Sequence, residues 1–193
     1  MSGRILVAGL IGGIVFFAWG AIAHMALGLG DTSFKGIPNE DMVLTTLKEN
    51  VTEPGLYFFP WMDMKSQDKA AREAWTQKYE AGPAGIMVFK PQGGEVMTPK
   101  QLFTQFFTDF LAALFAVILL AKAAGGIKGY FGRVMFMATF GLITSFAISF
   151  PYWNWYGYPF DYTIASLIEQ VVGFFVVGLV VAGMLKHKPK LVQ

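Results

Sequence analysis

The sequence predicts an all-α membrane protein: four transmembrane helices with a small, mostly helical extracytoplasmic cap containing a short β-hairpin. Three observations carry that expectation. Of 193 residues, 54% are apolar and only 15% charged, against roughly 25% charged in a soluble domain. Residues 28–101 hold 18 of the 28 charged side chains, so the rest of the chain is almost free of charge. Four apolar stretches, residues 5–27, 102–121, 134–150 and 163–185, reach the roughly 17–25 residues that a helix needs to cross hydrocarbon about 30 Å thick. Backbone groups in lipid are satisfied only in helices or closed barrels, and unalternating runs such as residues 110–120 are not barrel strands.

The first span follows Arg4, and Ala21-Ile22-Ala23 has the small-x-small form of a signal-peptide cleavage site. Its apolar run is long enough to cross the bilayer, which predicts an uncleaved anchor. In the polar excursion, Asn39 stands where it would cap a helix over residues 40–50, with Glu40 and Asp41 favouring the dipole and Pro54-Gly55 stopping the chain beyond it. A second helix is expected over residues 64–79, rich in Ala, Lys, Arg, Glu and Gln and closed by Gly82-Pro83. Residues 85–90 and 95–97 read as a hairpin around Gln92-Gly93-Gly94. Thr98-Pro99 supplies a cap and an N1 proline, so the second span should begin outside the lipid and enter unbroken. The domain division is thus 1–27 (first span), 28–101 (cap) and 102–193 (three spans with a basic tail).

Orientation follows from Lys and Arg near the span ends. Arg4, Lys122, Lys128, Arg133, Lys186, Lys188 and Lys190 fall on one side, while residues 151–162 have neither residue type. Both termini are therefore expected in the cytoplasm, and the cap outside. The three basic residues after the last span are ordinary anchoring groups that can also touch anionic lipid.

Zero cysteines exclude disulfides, thiolate metal centres and a thiol nucleophile. A net charge of +2 gives no expectation of a nucleic-acid partner. Phosphate-binding loops, the His-Glu-x-x-His zinc helix and the Gly-x-Ser-x-Gly elbow are absent from the sequence, so neither catalysis nor a resident metal is expected.

With this topology, three ionisable residues share the outer leaflet: Asp109 about seven residues inside the second helix, Glu169 about six inside the fourth, and His24 about three from the outer end of the first. Gln105 lies one turn from Asp109, and Gln170 lies at a comparable depth on the fourth helix. A carboxylate in hydrocarbon costs ~2.5 kcal/mol or more, so such groups face the bundle interior or water. They predict either an outward polar pocket for a cation, proton or polar ligand, or hydrogen bonds that hold the helices together at ~1 kcal/mol each.

His24 could also ligate haem or a chlorophyll-type magnesium. The other histidine, His187, sits at the opposite surface, which excludes an intrachain bis-histidine site, and no cofactor is expected. Residues 150–162 carry eight aromatics in thirteen positions. Rings of this kind form an interfacial belt, and Tyr152, Trp153, Trp155, Tyr156 and Tyr158 also have the composition of a docking surface. Gly9 and Gly13 on the first helix, and Gly173 and Gly178 on the fourth, supply small faces for close packing.

Three segments carry a resemblance: Ile37-Pro-Asn-Glu-Asp41 with Pro54-Gly-Leu-Tyr-Phe-Phe-Pro60; Gly85-Ile-Met-Val-Phe89 with Gly93-Gly94 and Met97-Thr-Pro99; and Pro151-Tyr-Trp-Asn-Trp-Tyr-Gly-Tyr-Pro159 leading into residues 163–182. In these the chain resembles a group of bacterial four-helix inner-membrane proteins. The resemblance implies a bacterial inner-membrane location and supplies no reaction, ligand or catalytic residue.

The function expected from the residues is that of a small accessory or scaffold subunit, lying in the bilayer and docking on a larger membrane protein, with homo-oligomers compatible with the glycine faces. The alternatives are a proton- or small-solute-binding transporter or channel-like protein using Asp109 and Glu169, and a cofactor carrier using His24.

Overall fold

The computed structural model describes residues 3–63 and 65–185. In chain order these form α1 (Gly3–Ala21), which runs on into a π-helical turn (Ile22–Ala26), then α2 (Glu40–Asn50), β1 (Gly55–Phe59), α3 (Lys69–Ala81) and β2 (Gly85–Phe89). There follow α4 (Pro99–Ala123), α5 (Gly129–Thr144), a second π-helical turn (Ser145–Ser149), α6 (Phe150–Tyr156) and α7 (Phe160–Val181). The protein is mostly helical, and four helices are long and apolar enough to cross a membrane: Gly3–Ala26, Pro99–Ala123, Gly129–Tyr156 and Phe160–Val181. Lys35–Val96 makes one compact unit, and the four long helices make the other.

The smaller unit departs from the sequence expectation in three places. The sheet is not a local hairpin: β1 pairs antiparallel with β2, Gly55 opposite Phe89 and Phe59 opposite Gly85, with α3 between them in sequence. Gly-Leu-Tyr-Phe-Phe in β1 is richer in ring side chains than Glu95-Val96-Met97, and aromatic residues fit a pleated surface. The latter segment forms no strand and leads instead to the cap of α4. Asn39 does precede α2, but in the left-handed region (φ 54°) and without a side-chain cap bond. Asparagine tolerates that conformation, and there its carbonyl rather than its amide receives Met42 and Val43 N–H. Finally, α3 begins at Lys69 rather than at residue 64, because Asp68 is the stronger cap and accepts from Ala70 and Ala71 N–H. Met64, where that helix was expected to start, lies outside the described residues.

In the bundle, α4 opens with a full capping box: Thr98 accepts Gln101 N–H, and the Gln101 side chain accepts Thr98 N–H. Pro99 follows at N1, and the helix runs unbroken to Ala123. The third long helix extends beyond its expected end at residue 150, through Pro151 to Tyr156. Proline removes one N–H and crowds the carbonyl four residues back, and the π turn that ends at Ser149 widens the helix where that strain falls. Gly157 then terminates the helix in the left-handed region at φ 71°.

Close approach at glycine sets how the helices pair. A Cβ on Gly13 would lie 2.6 Å from Phe110 Cα, one on Gly9 2.7 Å from Leu114 Cδ1, and one on Gly12 3.1 Å from both Ala113 and Val177 side chains. Thus α1 touches α4 and α7, each running antiparallel to it. On α5, a Cβ on Gly141 would meet Gln170 O and Val171 Cα of α7 at 2.5 Å. All four helices therefore alternate in direction, so α1 ends and α4 begins at the same end of the bundle. The buried apolar core, built from residues such as Phe16, Val117, Leu120, Met137 and Val177, is concentrated toward the other end. There the last carbonyls of α7 are met by α5: Tyr130 Oη donates to Leu179 O, and Arg133 Nη1 to Ala182 O at 3.4 Å. Outward faces carry Leu6, Ile14, Phe115, Phe131 and Ile143, all exposed, a surface suited to hydrocarbon.

The glycine contacts give a direct expectation. Gly141→Ala forces α5 from α7 and should lower stability by roughly 1–3 kcal/mol, whereas Gly20→Ala, with open space around its Cβ, should be neutral or slightly stabilising. Thermal unfolding of both variants in detergent checks this, and equal midpoints would contradict the packing.

Candidate functional site

At the end of the bundle where α1 ends and α4 begins, polar side chains face one another. The π turn at the end of α1 carries His24. Its closing bond, Leu27 N–H to Ile22 O at 3.0 Å, spans five residues and shifts the helical phase beyond it. Gly28, at φ 64°, reverses the chain, and Leu29 N–H returns to Ala23 O at 2.9 Å. This brings Gly30 onto the imidazole, so close that a Cβ at residue 30 would lie 2.0 Å from His24 Nδ1. Any larger residue there would push the ring aside.

With one side of the ring against Gly30, His24 Nε2 lies 3.1 Å from Glu169 Oε1 on α7. Glu169 is mostly covered, while His24 is about half exposed, with side-chain exposures of 21% and 55%. One turn deeper, Trp19 Nε1 donates to the Glu169 backbone carbonyl at 2.9 Å, fixing α1 against α7 at this level. On α4, Gln105 Nε2 donates to Asp109 Oδ1 at 2.9 Å.

These groups surround a cavity of about 380 Å³. It is lined by Phe17, Gly20, Ala21, His24 and Met25 from α1 and its π turn, by Met97, Leu102, Gln105 and Asp109 from α4 and the residues before it, and by Glu169 from α7. Two carboxylates, one imidazole and one amide thus share a chamber whose other walls are apolar. Among the described residues no Lys or Arg lines it. Among the described residues no group of three or more His, Asp or Glu side chains has the placement needed to hold a metal ion.

Of the residues singled out from sequence, His24, Gln105, Asp109 and Glu169 are brought together here. Gln170 is not among the lining residues; its backbone packs on Gly141 of α5. Trp19, Gly30, Met25 and Leu102 went unnoticed in the sequence. The Gly28-Leu29-Gly30 spacing directly after an apolar run was the available sign of a chain reversal over His24. An axial bond from His24 Nε2 to a haem iron would require breaking its contact with Glu169. His187 and the basic tail residues Lys186, Lys188 and Lys190 lie outside the described residues.

The aromatic segment is helical rather than a loop through Tyr156, and its rings pack on one another. Tyr152 stacks with Tyr158 at 5.4 Å and meets Tyr156 at 5.7 Å, while Trp153 packs on Phe160 at 5.5 Å. Trp155 stands apart, 76% exposed.

Comparison with protein-family models, with curated proteins and with solved structures finds no match to this chain.

Proposed function

We propose that the chain is a multi-pass protein of a bacterial inner membrane, both termini cytoplasmic, whose cavity binds a cation reaching it from the extracytoplasmic side, a proton or a small solute. One observation carries the reading: His24, Asp109 and Glu169, scattered over three apolar helices, meet at one chamber with no Lys or Arg beside them among the described residues. Neutral hydrogen bonds would join the helices at ~1 kcal/mol each without charge. Placing two carboxylates at one level of an apolar bundle costs more than packing requires, which favours a ligand of opposite charge. Four helices enclose little space, so binding is the activity of one copy, and passage across the bilayer would require several.

Purified chain should gain thermal stability from at least one cation in a panel of sodium, potassium, calcium and methylammonium, because a ligand bound only by the folded state stabilises it. Asp109→Asn with Glu169→Gln should abolish that gain. A variant that merely unfolds earlier, while the wild type ignores every cation, would make the carboxylates packing groups only.

The orientation rests on the basic residues Arg4, Lys122, Lys128 and Arg133 at the opposite end of the helices from the cavity. The chain has no cysteine, so Ala70→Cys, at an exposed position of α3, gives a background-free label. A membrane-impermeant maleimide should react with it in intact spheroplasts; reaction only after lysis would reverse the topology.

A second role, as an accessory or scaffold subunit, is favoured by a different observation, the mutually packed rings of α6 with Trp155 left exposed. In mild detergent the native chain should then migrate with a larger membrane protein, and Trp155→Ala with Tyr156→Ala should release it. A wild-type chain that runs alone would refute this role and leave the cation site standing.

A further inference from the structure

We infer that the ligand of the cavity is an organic ammonium ion with an apolar body, its charged end held by Asp109 and Glu169; this rests on the cation-binding reading above and narrows it to one chemical class. Three features of the chamber decide the class.

The first is the supply of acceptors. Each carboxylate commits one oxygen to a neighbour, Asp109 Oδ1 to Gln105 and Glu169 Oε1 to His24. Asp109 Oδ2 and Glu169 Oε2 have no protein hydrogen bond among the described residues. An ammonium group has up to three N–H donors and no acceptor, so it matches such oxygens and gains nothing from the apolar walls. A ligand without donors would leave Asp109 Oδ2 and Glu169 Oε2 without a protein partner.

The second is coordination. Calcium takes six to eight oxygen ligands, and magnesium holds a near-octahedral shell with tightly kept water. The chamber offers two carboxylates on separate helices, and no metal-holding group of three His, Asp or Glu side chains exists among the described residues. An inorganic ion would thus retain most of its water against walls that cannot hydrogen-bond to it.

The third is what fills the remaining space. Phe17, Met25, Met97 and Leu102 are apolar lining residues, and the volume of about 380 Å³ lies in the roughly 300–1,000 Å³ range of small-molecule sites. A bare cation would leave most of it unused. An alkyl or aryl group attached to the ammonium removes that apolar surface from water together with its own. Methionine at two wall positions adapts to ligands of varied outline.

The test uses the full chain in a non-ionic detergent with four probes: hexylammonium, hexanol, sodium and calcium. Hexylammonium should raise the unfolding midpoint saturably and give a calorimetric isotherm, while hexanol at equal concentration should do neither. Asp109→Asn and Glu169→Gln should each weaken hexylammonium at least tenfold. Leu102→Ser, at a position already 44% exposed and so tolerant of change, should weaken hexylammonium several-fold in a chain of unchanged circular dichroism. If hexanol equals hexylammonium, or Leu102→Ser leaves its affinity untouched, the proposed class is overturned. If sodium or calcium stabilises the wild type and hexylammonium does no better, the cation site stands and the organic ligand falls. If no cation binds, both fall.

Discussion

The bundle depends on how closely α1 approaches its two neighbours. Gly9 and Gly13 allow the α4 backbone to close on α1, and Gly12 admits the Ala113 and Val177 side chains of α4 and α7; between apolar helices in lipid such van der Waals contact replaces the hydrophobic force that joins helices in water. Once that approach is made, the axial register of the three helices is set. Phe16 then packs on Phe174 at 4.8 Å, Trp19 reaches the Glu169 carbonyl, and His24 arrives at the height of the Glu169 carboxylate. The polar site is thus a result of the glycine contacts two to four turns away, and no local feature of α7 would place Glu169 correctly without them.

The same contacts explain why the bundle is closely packed at one end and hollow at the other. Ala8, Gly9, Gly12, Gly13 and Phe16 of α1 are buried with Ala113, Val117 and Val177 of α4 and α7, and they close the space between the helices. Beyond Trp19 the sequence of α1 offers Gly20, Ala21 and Ala23, which approach but do not fill, and α4 answers with Gln105 and Asp109. The gap left is the chamber. Its polarity follows from the need of each group for a partner, since an unsatisfied amide or carboxylate in such surroundings is costly.

Much of this was legible in the chain itself. The four long helices follow from length and apolarity, and their alternation from the Lys and Arg residues gathered at one set of helix ends, so the shared level of His24, Asp109 and Glu169 could be inferred by counting residues. What counting could not supply was rotation about each helix axis. Gln170 sits next to Glu169 in sequence, yet it belongs to the side of α7 facing α5, a distinction that rests on Gly141. The two π turns were equally hidden, because hydrophobic spacing is blind to one extra residue in a turn. In the smaller unit, proximity in sequence misled: Gly93-Gly94 suggested a hairpin with its own neighbours, whereas β2 finds β1 across the intervening α3, and pairing between distant strands leaves no local mark.

The π turn at Ile22–Ala26 amounts to one residue added to an otherwise regular helix. Each residue advances a helix by about 100° around its axis. A chain lacking that insertion would keep its apolar length and its glycine contacts, yet carry the imidazole round to a different side. Removing one residue from that turn would therefore part His24 from Glu169 with no change at either of them.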